Sequence, residues 1–463
     1  YDLLAEIDGF DLLRLGAEVF TRADGSLWAS VASPDQDAYD IPVAGIREHG
    51  QTAVLDLSFA VLTLTWAGDR FAGEWKQGPA PLAFELKKTA NFPMKARAQT
   101  PRAPFPYRTE TLALPGAGGV TLGATLSLPA GVPRPTLVVL VGGSGPTTRD
   151  ASPAGHQSFA VLADYLARRG TAVLRYDKRG ISRSTGDYAR HTLSQLTGDL
   201  LEIVRALEKR KQFRRIGLIG HSEGAQIAAA AAARRPGSVG FVVSMAGVGM
   251  DGLASMLAQD RIWALDHGAT PEEADQAIDY AKRYYETVLA HAEPAPRIAA
   301  LEALYNALPP ERQGLIRKLE MNVGTLSLSW AEKPFVRAIL QANPSAHWRA
   351  VRSPVLVLNG GRDHQVPAEN LDAIVAEMVG EMIMDSEQTV RFEAACATAG
   401  VRFVGGLFAC SAQVEHQFTG ATTYYGLTPR DTRRTSDNFT TQGWFTGLVP
   451  ITVPIAIPAT ISQ

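Results

Sequence analysis

The stretch RIGLIGHSEGAQIAAAAAARR, residues 215–235, decides how this chain is read. RIGLIG (215–220) is an apolar run of strand length, and EGAQIAAAAAARR (223–235) is alanine-rich and helix-forming. Between them, Gly220-His221-Ser222-Glu223-Gly224 is a G-x-S-x-G set where a strand turns into a helix. A turn that sharp imposes strained torsions on Ser222 and holds its Oγ out at the C-terminal edge of a sheet. The backbone N–H of Glu223, at the helix start, faces the same spot. That N–H and the helix dipole favour a developing oxyanion.

The flanking sequence repeats this strand–helix rhythm. TLVVLV (136–141) is the continuous apolar run that a strand buried on both faces requires. FAVLADYLARRG (159–170), TAVLRY (171–176), LSQLTGDLLEIVRALEKR (193–210), VGFVVSM (239–245), PVLVLNG (354–360) and ENLDAIVAEM (369–378) continue the alternation. Such a succession predicts an α/β fold with a doubly wound, mostly parallel sheet. A hairpin over 108–128 precedes it.

Residues 247–350 interrupt the rhythm with amphipathic helices. Thr270, Pro271 and Glu273 form a capping box with proline at the first helical position. Ala274, Ala277, Ile278, Ala281, Tyr284, Tyr285 and Val288 then recur at near-helical spacing. This interval is expected to be a helical cap over the sheet's C-terminal edge.

The first ninety residues read as β. LWASVA (27–32), TAVLDLSF (52–59), VLTLTWAG (61–68), RFAGEWKQG (70–78) and LAFELKK (82–88) are separated by turn signals such as Asp24-Gly25 and Gly68-Asp69. Short strands at close spacing suggest a small barrel or sandwich. Four prolines within 93–106 mark a linker. The expected domains are therefore an accessory β domain over 1–95, a linker over 96–107, and an α/β domain over 108–463.

Composition narrows the function. The 463 residues are 46% hydrophobic and 20% charged, with a formal net charge of −2 and no run of like charges. These values exclude disorder, collagen-like repeats and coiled coil, and they do not indicate a nucleic-acid or anionic-membrane surface. No run of 18 apolar residues is present to span a bilayer. The chain opens on Tyr1, which fits an exported protein (periplasmic or secreted) after signal removal, and equally an expressed fragment cut there. Two cysteines, Cys396 and Cys410, make no disulfide scaffold. Histidines, cysteines and carboxylates show no metal-ligand spacing, so neither metal nor cofactor is expected.

A serine hydroxyl needs a base to take its proton, and the base needs an acid to orient it. Asp363, in GGRDHQVP just past the strand PVLVLNG, is the candidate acid. Nine histidines reduce to one by elimination. His49 lies in the β region, His221 and His364 adjoin proposed triad members, His267, His291 and His347 fall in the cap, and His156 and His191 come early. Only His416, in VEHQF, follows the acid after a candidate strand, VRFVGGLF (401–408). A second oxyanion donor is expected in Gly142-Gly143-Ser144-Gly145-Pro146, from the N–H of Ser144 with Gly143 next. That glycine run lacks the lysine and spacing of a nucleotide-binding loop. Asp177, Arg179 and Gly180 in YDKRGISRSTGD read as an ion-paired loop shaping the crevice.

VLVGGSGPTTRD, YDKRGISRSTGD, GLIGHSEGAQIA and PVLVLNGGRDHQVP together resemble the α/β-hydrolase superfamily. The resemblance is to the bacterial branch grouped with S33-type serine aminopeptidases and carboxylesterases, and it covers about 108–378. SPDQDAYDIPV (33–43) and GEWKQG (73–78) are similar to the β domain of some exported members. Carried over by position, the resemblance implies Ser222 as nucleophile, Asp363 as acid, His416 as base, and Ser144 and Glu223 as oxyanion donors. The chain departs from the pattern at the base, where Glu415-His416-Gln417-Phe418 replaces an Asn-His or Gly-His followed by an apolar residue. The expected activity is hydrolysis of a small-molecule carboxylic ester. Trp263, Tyr284 and Trp330 are candidates to line a substrate pocket or simply to pack the cap. A serine peptidase, with Glu272, Glu273 or Glu286 holding a substrate ammonium, is the second expectation. A non-catalytic binding protein on the same fold is the third.

Overall fold

The computed structural model describes residues 2–7, 13–33, 38–57, 60–77, 81–89, 97–152, 155–361, 363–379, 401–403, 410–415 and 422–425. The chain divides into two compact units, Tyr1–Gly217 and Leu218–Gln463.

The first unit opens with nine antiparallel strands: β1 (Asp2–Ile7), β2 (Leu13–Thr21), β3 (Leu27–Ser33), β4 (Ala38–Pro42), β5 (Gly45–His49), β6 (Thr52–Asp56), β7 (Val61–Trp66), β8 (Arg70–Lys76) and β9 (Leu82–Thr89). Their order is β4-β3-β2-β1-β9-β8-β7-β6-β5. The sheet closes on itself because β4 and β5 are two halves of one bent strand. β4 pairs with β3 and β5 pairs with β6. Between them the Val43 N–H donates to Ala29 O at 3.3 Å and the Ala44 N–H to Asp56 O at 2.6 Å. Alternate residues face inward, and Ala17, Val31, Leu55, Leu62, Leu64 and Leu86 form the buried core of this barrel. At Gly73 a Cβ would stand 2.3 Å from the Phe84 ring, so glycine makes room for that ring.

The same unit continues with β10 (Tyr107–Pro115), β11 (Thr121–Pro129), β12 (Thr136–Val141), α1 (Ser158–Ala167), β13 (Ala172–Tyr176) and α2 (Leu193–Lys209). β10 and β11 form the expected hairpin, β11 is antiparallel to β13, and β13 is parallel to β12. Burial on both sides explains the uninterrupted apolar run of β12, where Leu137 to Val141 are all buried. Two ion pairs, the first half-buried and the second buried, fix the loop after β13: Arg149 Nη2 donates to Asp177 Oδ2 at 2.6 Å, and Arg179 Nη2 to Asp199 Oδ1 at 2.6 Å. This is the ion-paired loop read from YDKRG.

β14 (Arg215–His221) leads into the second unit, followed by α3 (Glu223–Arg234) and β15 (Phe241–Met245). Seven helices come next: α4 (Gly252–Asp266), α5 (Pro271–Ala290), α6 (Pro294–Asn306), α7 (Pro310–Lys318), α8 (Leu328–Ala331), α9 (Pro334–Leu340) and α10 (Ser345–Ala350). β16 (Val355–Leu358), parallel to β15, and α11 (Glu369–Val379) complete the α/β part. The mostly parallel sheet with flanking helices is the α/β-hydrolase architecture, carrying a helical insertion and preceded by a separate all-β region.

The insertion has its own core. α5 starts on the expected capping box of Thr270 and Glu273, and Ala274, Ala277, Ala281, Tyr284, Tyr285 and Val288 are all buried. Its entry and exit lie together: Trp348 Nε1 donates to Val248 O at 3.0 Å, and the Gly252 N–H to Ala342 O at 2.8 Å. Further on, β17 (Val401–Phe403), β18 (Cys410–Glu415) and β19 (Thr422–Tyr425) form an antiparallel sheet of their own. Of the candidate strand VRFVGGLF, Val401–Phe403 are described and form β17, in a sheet separate from β14–β16; the rest of that stretch lies outside the described residues.

Candidate active site

β14 ends at His221 and α3 begins at Glu223, which leaves Ser222 alone between them at φ 55°, ψ −123°. A non-glycine residue in that region costs about 1–3 kcal/mol and persists only where its surroundings impose it. The surroundings here are specific. A Cβ on Gly220 would lie 2.3 Å from Gly224 O and 2.4 Å from Ala225 N, so only glycine lets strand and helix approach this closely. The Ser222 N–H donates to Met245 O at 2.9 Å, and Ser222 O accepts from the Ala225 N–H at 3.0 Å. The side chain is half-buried and makes no capping bond, although it stands at the helix N-cap. The backbone N–H of Glu223 stands in the first turn of α3, at the positive end of the helix dipole. A serine hydroxyl thus stands beside the positive end of a helix.

Asp363 lies in the loop after β16 and is 5% exposed. Its Oδ1 accepts from the Gln365 N–H at 2.9 Å and the Val366 N–H at 3.0 Å, while its buried Oδ2 has no hydrogen-bond partner among the described residues. Burial outweighs the two amide donors and pushes the carboxyl up to about 6. One carboxylate oxygen is fixed and the other is left for a donor.

Among the described residues no imidazole supplies that donor. His364 turns its Nδ1 to Asp266 Oδ2 at 2.5 Å, His267 to Trp263 O at 2.9 Å, and His291 to Thr287 O at 3.0 Å. His416, the expected base, lies outside the described residues.

The expected second oxyanion loop belongs to the first unit. Ser144 is exposed and Gly143 buried. Thr147 Oγ1 donates to Gly143 O at 3.1 Å and to Gly145 O at 3.2 Å, and Lys178 Nζ also donates to Gly143 O. Lys178 was not singled out by sequence reasoning; its signal was a lysine directly after the ion-pairing Asp177.

In the insertion, Tyr284 donates to Ser327 O at 2.8 Å and Tyr285 to Asp260 Oδ2 at 2.6 Å, so these rings pack the helices. Trp330 packs against the same core, and Trp263 is partly exposed with its Nε1 on Leu319 O. Asn370 was also missed. Its buried Oδ1 accepts from the Gly249 N–H at 3.0 Å, the Met250 N–H at 3.1 Å and Ser255 Oγ at 3.1 Å, while its Nδ2 donates to Pro367 O. It ties the segment after the Asp363 loop to the start of the insertion. Among the described residues no helix is long and apolar enough to cross a membrane. No group of three His, Cys, Asp or Glu that could hold a metal occurs among them.

Residues 155–382, which hold Ser222 and Asp363, match the model of the family described as serine aminopeptidase, S33. This region belongs to that family. Solved structures similar to this chain include an esterase from Pyrococcus furiosus, at 16% identity over 58% of this chain and 76% of that one, with a TM-score of 0.36. Another is a proline iminopeptidase from Mycobacterium smegmatis, at 16% identity over 58% and 87%, with a TM-score of 0.38. Among curated proteins, 81 residues are 63% identical to acyltransferase PapA3 of Mycobacterium tuberculosis. Another 80-residue match, at 52% identity, is to the 2'-acyl-2-O-sulfo-trehalose (hydroxy)phthioceranyltransferase PapA1 of Mycobacterium bovis. These matches take in 18% and 17% of the hydrolase chain, which spans 17% and 16% of the length of those relatives.

Proposed function

We propose that this S33-family hydrolase cleaves carboxylic esters through an acyl-enzyme on Ser222. The observation that carries the reading is the strained, braced turn that leaves the Ser222 side chain uncommitted at the head of α3. In the proposed cycle His416 takes the Ser222 proton as Oγ attacks the ester carbonyl. The Glu223 N–H stabilises the oxyanion, with Ser144, or Gly143 next to it, as second donor on the sequence reading alone. Such a donor is worth about 3–4 kcal/mol in comparable sites. The alcohol leaves with the proton from His416, and water then resolves the acyl-enzyme by the reverse proton path. Asp363 is assigned to orient the imidazole, and its unpartnered Oδ2 supports the assignment.

Aminopeptidase chemistry, which the family description carries, is the second reading. It wants a free carboxylate for the substrate ammonium. Glu273 is occupied by the Thr270 N–H at 2.9 Å and Lys318 Nζ at 3.1 Å, and Glu272 and Glu286 face solvent, which favours the ester. A chain-length panel of p-nitrophenyl esters beside aminoacyl anilides, run on wild type, Ser222→Ala and His416→Ala, tests the proposal. Ester turnover is expected to exceed anilide turnover, and both variants to lose at least about a thousandfold. Near-normal turnover by His416→Ala would remove that residue from the mechanism. A fluorophosphonate that fails to label Ser222 in the folded chain would favour the non-catalytic reading.

A further inference from the structure

The β1–β9 barrel packs an apolar core of its own and carries a cavity beside it. A cavity of about 600 Å³ opens among the last residues of β2, β5 and β7 and the first of β3, β6 and β8. Val19, Ile46, Leu55, Leu64, Trp66 and Phe71 line it. The size falls within the ~300–1,000 Å³ of small-molecule sites, and eight-stranded barrels have interiors wide enough for one such ligand. Because β4 and β5 act as one bent strand, this ring has eight staves.

Charge decides the occupant. Ile46 and Glu48 are two apart on β5 and so project to the same side of the sheet, and both line the cavity. Among the described residues the lining includes no Lys, Arg or His, and Glu48 is its one ionisable group. An apolar tail fits the walls. A carboxylate head would meet a like charge with no cation to neutralise it, whereas a hydroxyl can donate to Glu48. Trp66, 38% exposed and packed edge-on against Phe71 at 4.9 Å, puts an apolar ring at the entrance.

We propose that this cavity binds an uncharged, hydroxyl-bearing single-chain lipid of the monoacylglycerol or long-chain alcohol class. The proposal does not depend on the reading of Ser222. The full chain carrying Ser222→Ala, which spares the ester, is titrated with N-phenyl-1-naphthylamine, and the dye is then displaced by lauroylglycerol or by laurate. Lauroylglycerol is expected to displace the dye at concentrations at least about tenfold below those of laurate. Ala53→Phe, which fills the cavity, should weaken lauroylglycerol at least about tenfold, and Glu48→Arg, at an exposed position that leaves the core intact, should reverse the preference towards laurate. Equal displacement by the two lipids, or a preference unmoved by Glu48→Arg, overturns the proposal.

Discussion

The backbone N–H of Ser222 is hydrogen-bonded to the carbonyl oxygen of Met245 at 2.9 Å, so the turn that carries the hydroxyl is pinned to the end of the neighbouring strand. A residue at φ 55° would relax if its ends were free. Here Met245 on one side and the Gly220–Gly224 contact on the other prevent it.

That brace makes the strain measurable. Ser222→Ala and Ser222→Gly are both expected to lose at least about a thousandfold in ester hydrolysis. In urea melts the glycine variant should be the more stable of the two by about 1 kcal/mol, because alanine keeps the disfavoured torsions and glycine does not.

Gly220→Ala should fail for a different reason. Its Cβ would overlap backbone atoms rather than a movable side chain. We expect a loss of about 2 kcal/mol or more in stability, and a fall in activity exceeding what the melted fraction explains.

Asp363 gives a signed pH prediction. Its carboxyl stands at about 6 against 3.8 for the ordinary group, so the folded state binds the proton more tightly than the unfolded state does. Its contribution is most favourable below pH 4 and is lost as pH rises through 6. Asp363→Asn keeps an acceptor for Gln365 and Val366 without the charge. It should match wild type near pH 4 and exceed it by roughly 2–3 kcal/mol at pH 8 in urea titrations, while ester turnover collapses.

A second buried carboxylate sits inside the insertion. Asp260 is held by Tyr285 Oη at 2.6 Å and Thr325 Oγ1 at 2.7 Å, and burial pushes it up to about 6. Tyr285→Phe removes a donor from an acceptor that carries full charge only above that value. The loss should be about 1.5–3 kcal/mol at pH 8 and clearly smaller at pH 5, read from thermal or urea melts at both.

Asn370→Ala would strand the Gly249 and Met250 N–H groups and Ser255 Oγ together. A cost of about 3 kcal/mol is expected, with faster hydrogen exchange at Gly249 and Met250. Asn370→Asp, which keeps the acceptor, should recover much of it.

The legible parts of this molecule are those specified locally. β12 announces its two-sided burial by an unbroken apolar run, α5 by a capping box and a buried stripe, and Ser222 by glycines two residues either side. The barrel was half legible. β3 and β6–β9 alternate enough to be seen, but Gly16 interrupts β2, and the aspartates and proline around β4 read as loop. Closure is invisible locally because it rests on Val43 and Ala44 reaching Ala29 and Asp56. Asn370 escaped for the same reason: its partners lie about 120 positions upstream. Asp363 stands out in the sequence as a candidate acid because a turn after a strand end positions it. The base was sought by elimination among nine histidines, because no local sequence motif singles out His416 as the glycines single out Ser222.

The paired ends of the helical insertion have an evolutionary consequence. With Trp348 clasping Val248 and Gly252 clasping Ala342, everything from α4 to α10 leaves and rejoins the scaffold at one doorway. Such a segment is an exchangeable cassette: a lineage can trade it for another of different length while the serine's turn, secured elsewhere by Met245, stays undisturbed.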